Sequence, residues 1–312
     1  MHELEAKHLA PLAAIVRDGL NESFHHGVAV LVDPQGKVLA QSGDIEALIY
    51  PRSALKPLQA LTLYRLGLRL PEKQIVMSMA SHYSTEVQVA QVRAMLEGAK
   101  VSESELGCPQ ALPWNPEAKA KVSEAMPVYH NCSGKHSGFL AACAHMGWDR
   151  DSYLALEHPL QVAIKELIEE FSGEAIEKTT IDGCGAPLHA LSTRGLAKAI
   201  SKFSQEGREL VAAALANPNL IGDVTTPDAA FLRAGLFSKL GAEGVFTVAT
   251  ESGYAVAIKI ADGSLRAAGL IALELLWREG LVSEEQHDQI AKDCRVEVLG
   301  GGQSVGELRV LI

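Results

Sequence analysis

Val28-Ala29-Val30-Leu31-Val32-Asp33-Pro34-Gln35-Gly36-Lys37-Val38-Leu39-Ala40-Gln41 is the stretch from which the fold is read. Five apolar residues run into Asp-Pro-Gln-Gly, a tetrad of turn formers, and an extended pattern resumes at Lys37, so residues 27–42 read as a β-hairpin. Downstream the periodicity changes. Leu58–Leu66, Val87–Leu96, Gly138–Met146, Pro159–Phe171, Leu188–Phe203, Glu209–Leu215 and Ala229–Leu240 carry apolar residues at helical spacing. Near the end, Val245–Ala249 and Tyr254–Ile260 are rich in strand formers. Asp262-Gly263 is a turn, Leu270–Trp277 is an apolar helix, and Glu307–Ile312 can close as a strand.

Strands at both ends with helices between them are not the alternation of a parallel doubly wound sheet. The expectation is α+β: one antiparallel sheet built from the terminal strands, with a central helical lobe beside it. The chain reads as a single catalytic domain, 1–312, with a sheet lobe over about 1–50 and 240–312, a helical lobe over about 51–239, and a cleft at their junction.

Composition narrows the function. Hydrophobic residues make up 47% and charged residues 21% of 312, ordinary for a globular chain. The net charge of −10 comes with no basic stripe able to follow a phosphate backbone, so nucleic acid is excluded as the expected partner. The start, Met1-His2-Glu3-Leu4-Glu5-Ala6-Lys7, lacks the basic and apolar regions of a secretory signal, and no apolar run approaches the roughly 20 residues that cross a bilayer. A cytoplasmic protein without membrane partners is expected. Five cysteines, Cys108, Cys132, Cys143, Cys184 and Cys294, read as free thiols, core fillers or metal ligands rather than as a disulfide framework.

Four stretches could carry chemistry. Arg52-Ser53-Ala54-Leu55-Lys56-Pro57 contains S-x-x-K. If Ser53 opens a helix, Lys56 shares its face one turn on, and a neutral amine there can take the serine proton while free backbone N–H groups face a developing oxyanion. Ser53 as a plain N-cap and Lys56 as a solvated first-turn residue is the competing reading. In Met79-Ala80-Ser81-His82, Ser81 either shares a site with Ser53 or is a loop hydroxyl. Asn131-Cys132-Ser133-Gly134-Lys135-His136 and Asp182-Gly183-Cys184-Gly185 place thiols at glycine-flanked turns, a weak zinc signal set against two small buried thiols. In Tyr254–Ile260, Lys259 shares a strand face with Ala255 and Ala257 and could cross a tight cleft, or simply face solvent. Glu243, in Lys239-Leu240-Gly241-Ala242-Glu243-Gly244, could hold a ligand ammonium or begin a strand.

Taken in order, Arg52–Gln59, Ala80-Ser81-His82, Asn131–His136, Asp182–Pro187, Gly241-Ala242-Glu243-Gly244 and Lys259–Gly263 resemble the rhizobial-type L-asparaginase family, also called asparaginase II or class 3. The resemblance implies a fold similar to serine β-lactamases and glutaminases, hydrolysis of L-asparagine to L-aspartate and ammonia, and a homodimer. It implies Ser53 with Lys56 and Ser81 with Lys259 as two Ser–Lys tandems, and Arg52, His82, Asn131, Glu243 and Gly244 at the substrate. It also implies a zinc ion on Cys132, Lys135 and Cys184, with Asp182 behind it, structural or substrate-orienting in role. A lysine ligand must be neutral, so such a site loses its metal as pH falls. Two departures stand out: Tyr83, Ser84, Thr85 and Gln88 replace the family's usual residues after Ser81-His82, and Cys108 precedes Pro109 rather than glycine. Both are expected near the pocket rim. The other readings are a related serine amidohydrolase, either a glutaminase or a β-lactam-reactive enzyme, and a non-catalytic protein that binds zinc or an amino acid.

Overall fold

The computed structural model describes residues 2–312. Three strands of the main sheet come first: β1 (Ala10–Arg17), β2 (Leu20–Val32) and β3 (Val38–Ser42). The helical block follows, with α1 (Lys56–Arg65), α2 (Glu72–Met79), α3 (Glu86–Gly98), α4 (Ser133–Met146), α5 (Pro159–Ser172), α6 (Thr193–Glu206), α7 (Arg208–Ala216) and α8 (Pro227–Arg233). Strands then return as β4 (Phe237–Gly241), β5 (Val245–Ala249) and β6 (Ala255–Ile260). The chain ends with α9 (Ala268–Arg278), α10 (Glu284–Asp293), β7 (Val298–Gly300) and β8 (Gln303–Val310).

The eight strands form one curled antiparallel sheet in the order β7-β8-β1-β2-β6-β5-β4, with β3 also on β2. The fold is mixed α+β, as the segregation of strands and helices along the sequence requires. The hairpin at 27–42 is present. Asp33 Oδ1 accepts from the N–H groups of Gln35 and Lys37, both at 2.9 Å, and Gly36 supplies the left-handed residue at φ 82°.

Alternation sorts the sheet residues between two cores. Val28, Val30, Val32, Val245, Ala255 and Ala257 face the helical block, whereas Ala29, Leu31, Phe246, Val256, Ile258 and Ile260 face α9 and its neighbours. Each large side chain buried in this way contributes about 1.5–3 kcal/mol of transfer free energy. Ala255 and Ala257 leave room for α6 to lie close on β6, and Lys259 stands on that same face.

Two expected helices are shorter than their spacing suggests. The pattern over Ala229–Leu240 ends at Arg233. Gly235 turns the chain at φ 83°, and residues 237–241 form β4 at the sheet edge. A single glycine thus converts the second half of a helical pattern into a strand. The pattern over Leu188–Phe203 opens with short extended segments, Pro187–His189 and Leu191–Ser192. Its helix begins only at Thr193, where the Ser192 hydroxyl accepts from Gly195 N–H at 2.8 Å. No helix among the described residues is long and apolar enough to cross a membrane.

Candidate active site

Ser53 lies between β3 and α1 in a 3₁₀ turn, Arg52–Leu55, and Lys56 is the first α-helical residue. Arg52 holds a left-handed backbone at φ 55°, which a side-chain-bearing residue adopts only when its surroundings impose it. Gly241 is one of those surroundings. A Cβ on Gly241 would stand 2.3 Å from the Pro51 carbonyl oxygen and 3.2 Å from Ala54 N, so only glycine lets the end of β4 press against the Ser53 turn. Ser53, Ser81, Asn131 and Ala242 line one cavity of about 520 Å³.

Two buried lysines meet at Ser81. Lys56 Nζ donates to the Ala80 carbonyl at 2.5 Å and to Ser81 Oγ at 3.2 Å, and Lys239 Nζ donates to Ser81 Oγ at 3.0 Å. Lys239 and Asp228 are both fully buried, 3.5 Å apart. Burial pushes Lys239 down to about 8, against the opposing attraction of Asp228 and with help from the charge of Lys56. Asp228 is held in turn by N–H groups of Ala229 at 3.1 Å and Leu240 at 3.4 Å. The result is a serine hydroxyl between two amines, one of which titrates near neutrality.

Lys259, expected beside Ser81, is not there. Its ammonium donates to the Glu243 carbonyl in the turn after β4, and it lines a different cavity with Arg52, Gly183 and Glu243. The register gives the reason. Lys239 pairs with Thr247 and Thr247 with Ala257, so Lys259 is two strands and two residues away, about 10 Å across the sheet alone. Lys239 takes the place expected for Lys259. Its signal was the Lys239-Leu240-Gly241 spacing, hidden inside an apparently helical run.

The expected substrate contacts divide. Asn131 is on the cavity wall with both serines. His82 is fully buried, with Nε2 2.8 Å from Ser133 Oγ and Nδ1 accepting from Ser84 N–H at 3.1 Å. Burial, aided by the charge of Lys56, lowers it to about 3, so it is a neutral strut under the Ser81 loop rather than a ligand contact. Glu243 follows Ala242 with φ 60° and, with Arg52, faces the second cavity. Gly244 at φ 73° lies against the Ile260 carbonyl. Arg52 Nε donates to Asp182 Oδ1 at 2.6 Å. Of the departures expected at the rim, Tyr83 reaches the cavity, whereas Ser84, Gln88 and Cys108 are buried away from its lining. Tyr83 lines the cavity, and buried Gln88 pins its loop by accepting from Tyr83 N–H at 3.0 Å and donating to the Gly222 carbonyl at 2.7 Å.

Cys132, Lys135 and Cys184 come together, each at most 3% exposed. Lys135 Nζ lies 3.0 Å from Cys184 Sγ, and Asp182 Oδ2 is 3.7 Å away on the same sulfur. A hydrogen bond from Cys132 and the charge of Lys135 pull the Cys184 thiol well below its ordinary value, while the same bond and burial raise Cys132. His136 Nε2 is buried beside this cluster without a partner, its Nδ1 being 2.6 Å from Tyr153 Oη. Two sulfurs and a lysine nitrogen form a donor set that fits zinc.

The cavity with its serines and buried amines has the form of a hydrolase site, and the sequence comparisons agree in class. The sequence model of L-asparaginase II matches residues 13–310, so the chain belongs to the L-asparaginase II family and is an amidohydrolase by class. A search of curated proteins returned no match. Among solved structures, a β-lactamase from Mycobacterium bovis is similar at 16% identity and a TM-score of 0.35, over 86% of this chain and 94% of that one.

Proposed function

We propose that the protein hydrolyses L-asparagine to L-aspartate and ammonia, with Ser53 as nucleophile. The observation that carries this reading is the junction of Lys56, Ser81 and Lys239 at the wall of the cavity that Ser53 lines. Ser53 Oγ attacks the side-chain amide carbon, forming a C–O bond, and its proton passes to the Lys56 amine, which is hydrogen-bonded to Ser81. Backbone N–H groups of the Ser53 turn and of Ala242 hold the oxyanion. The C–N bond breaks, and the relay through Ser81 and Lys239 protonates the departing nitrogen, which leaves as ammonia. The same relay then deprotonates a water that attacks the β-aspartyl ester, releasing aspartate and restoring Ser53.

Zinc would sit on Cys132, Lys135 and Cys184. Bound there, it would supply a fixed positive centre that orients substrate and firms the pocket. This chain's own contribution is the Asp182 carboxylate, which joins that cluster to Arg52 and so to the residue before Ser53.

Ammonia release from L-asparagine, with L-glutamine and a penicillin label alongside, tests the substrate. Mass spectrometry of a trapped acyl adduct tests Ser53. A Ser53→Ala protein that turns over at the wild-type rate would remove Ser53 from this role, and asparagine binding without turnover would support the non-catalytic reading.

A further inference from the structure

The cavity that Ser53 lines is also lined by the segments just before α9 and just after α10, which bring two arginines to it. Its volume of about 520 Å³ falls in the range of roughly 300–1,000 Å³ that encloses drug-sized ligands, far more than a free amino acid occupies. The two arginines are Arg266 and Arg295, and Asp293 lines the cavity with them. Asp293 is already committed, at 2.8 Å, to Arg233. Arg295 makes no ion pair among the described residues.

Arg266 is held in place from behind. His25 is 3% exposed. Its Nδ1 is 2.6 Å from Asp262 Oδ2, and its Nε2 accepts from Arg266 Nε at 3.2 Å and Nη2 at 3.0 Å. An arginine anchored through one edge of its guanidinium by a buried histidine, itself fixed by the exposed Asp262, keeps the other edge free and preorganised, which is how carboxylates are taken. Tyr83 and Trp114, which line the same cavity, meet edge to face with ring centroids 5.5 Å apart, and Trp114 is 55% exposed. Such a wall suits the backbone of an extended chain.

We infer that the site also takes asparagine at the head of a short peptide, with the asparagine side-chain amide at Ser53 and the peptide's C-terminal carboxylate at Arg266 and Arg295. This rests on the amidohydrolase reading above and names the substrate class of that same site.

The experiment compares L-asparagine, the tripeptide Asn-Gly-Gly, and the same tripeptide blocked as its C-terminal N-methylamide, following the mass change at the asparagine side chain. The expected result is a kcat/KM for Asn-Gly-Gly about tenfold or more above that of asparagine, lost on blocking the carboxylate, because a charged hydrogen bond is worth that much. In Arg266→Gln, the ratio of the tripeptide value to the asparagine value falls by a similar factor. Turnover of asparagine with no gain for the tripeptide overturns the inference and leaves the amidohydrolase reading standing. Absence of turnover for all three sinks that reading instead. Calorimetry then decides the inference: tripeptide binding tighter than that of asparagine and weakened by the block supports it, and equal binding of all three overturns it.

Discussion

Lys239 Nζ lies 3.0 Å from Ser81 Oγ although 158 residues separate them in the chain, and neither residue reaches a cavity chemistry alone. Ser81 comes from the loop after α2 and Lys239 from the edge strand. Replacing Lys239 by Ala should lower kcat by about 10²–10⁴-fold, the scale of a lost proton-transfer group. Lys259→Ala, at a lysine bonded to the Glu243 carbonyl, should lower kcat by much less. Steady-state ammonia release by the two variants decides between the lysines, and equal losses would return Lys259 to the relay.

Asp228 should set the pH at which Lys239 works. Burial lowers Lys239 to about 8, Asp228 opposes this, and Lys56 and Cys132 are the other ionisable groups that act on it. Removing the carboxylate in Asp228→Asn takes away a stabiliser of the ammonium, so Lys239 loses its proton at lower pH. The rise of kcat that follows Lys239 deprotonation should therefore shift to more acidic pH. A pH–rate profile that stays in place, with activity retained, would detach Asp228 from the relay.

Gly241→Ala should be costly although glycine has no side chain to take part in the chemistry. Its Cβ would meet the Pro51 carbonyl at 2.3 Å, and the strand can relax only by moving the Ser53 turn or Lys239. A loss of about 1–3 kcal/mol in denaturant unfolding, as for overpacked sites, should accompany a fall in kcat larger than that of Lys259→Ala. Unchanged stability and turnover would mean that the contact is soft.

Cys184→Ser should reduce the zinc recovered with the purified protein, as measured by elemental analysis, because Cys184 is the sulfur shared by Lys135 and Cys132. Cys143→Ser, at a thiol buried in α4, serves as the control and should leave the metal content alone. Equal zinc in both variants would argue against the cluster as its site.

Acid should destabilise the fold before its carboxylates titrate. His82 is lowered to about 3 and His189 to about 4, chiefly by burial, whereas in the unfolded chain both sit near 6.5. Below pH 6.5 the unfolded state binds protons that the folded state refuses, so the stability these neutral rings contribute is lost as pH falls toward 4. Each group accounts for about 1.4 kcal/mol per pH unit, and the pair for roughly 2–3 kcal/mol per unit between pH 6 and 4.5. Urea unfolding across that window reads the slope, and a flat profile would contradict the buried neutral state of both rings.

Local sequence determined much of this protein. Asp33-Pro34-Gln35-Gly36 makes its turn with its own side chain and its own glycine, and the period-two pattern of Val28–Val32 sorts itself between two cores without help from distant residues. The S-x-x-K turn was legible as a short motif with its own geometry, whereas the grouping of Cys132 and Lys135 with Cys184, 49 residues beyond Lys135, was implied only by the ordered resemblance of the whole chain to its family. Tertiary structure alone decided which lysine meets Ser81. That choice depends on strand register and on Gly235 ending a helix early, and a one-strand shift moves an ammonium by about 5 Å, more than a hydrogen bond spans. It also decided that His82 is a strut and that Asp228 is a buried partner, since burial and ion pairing arise from what other segments bring to the same place.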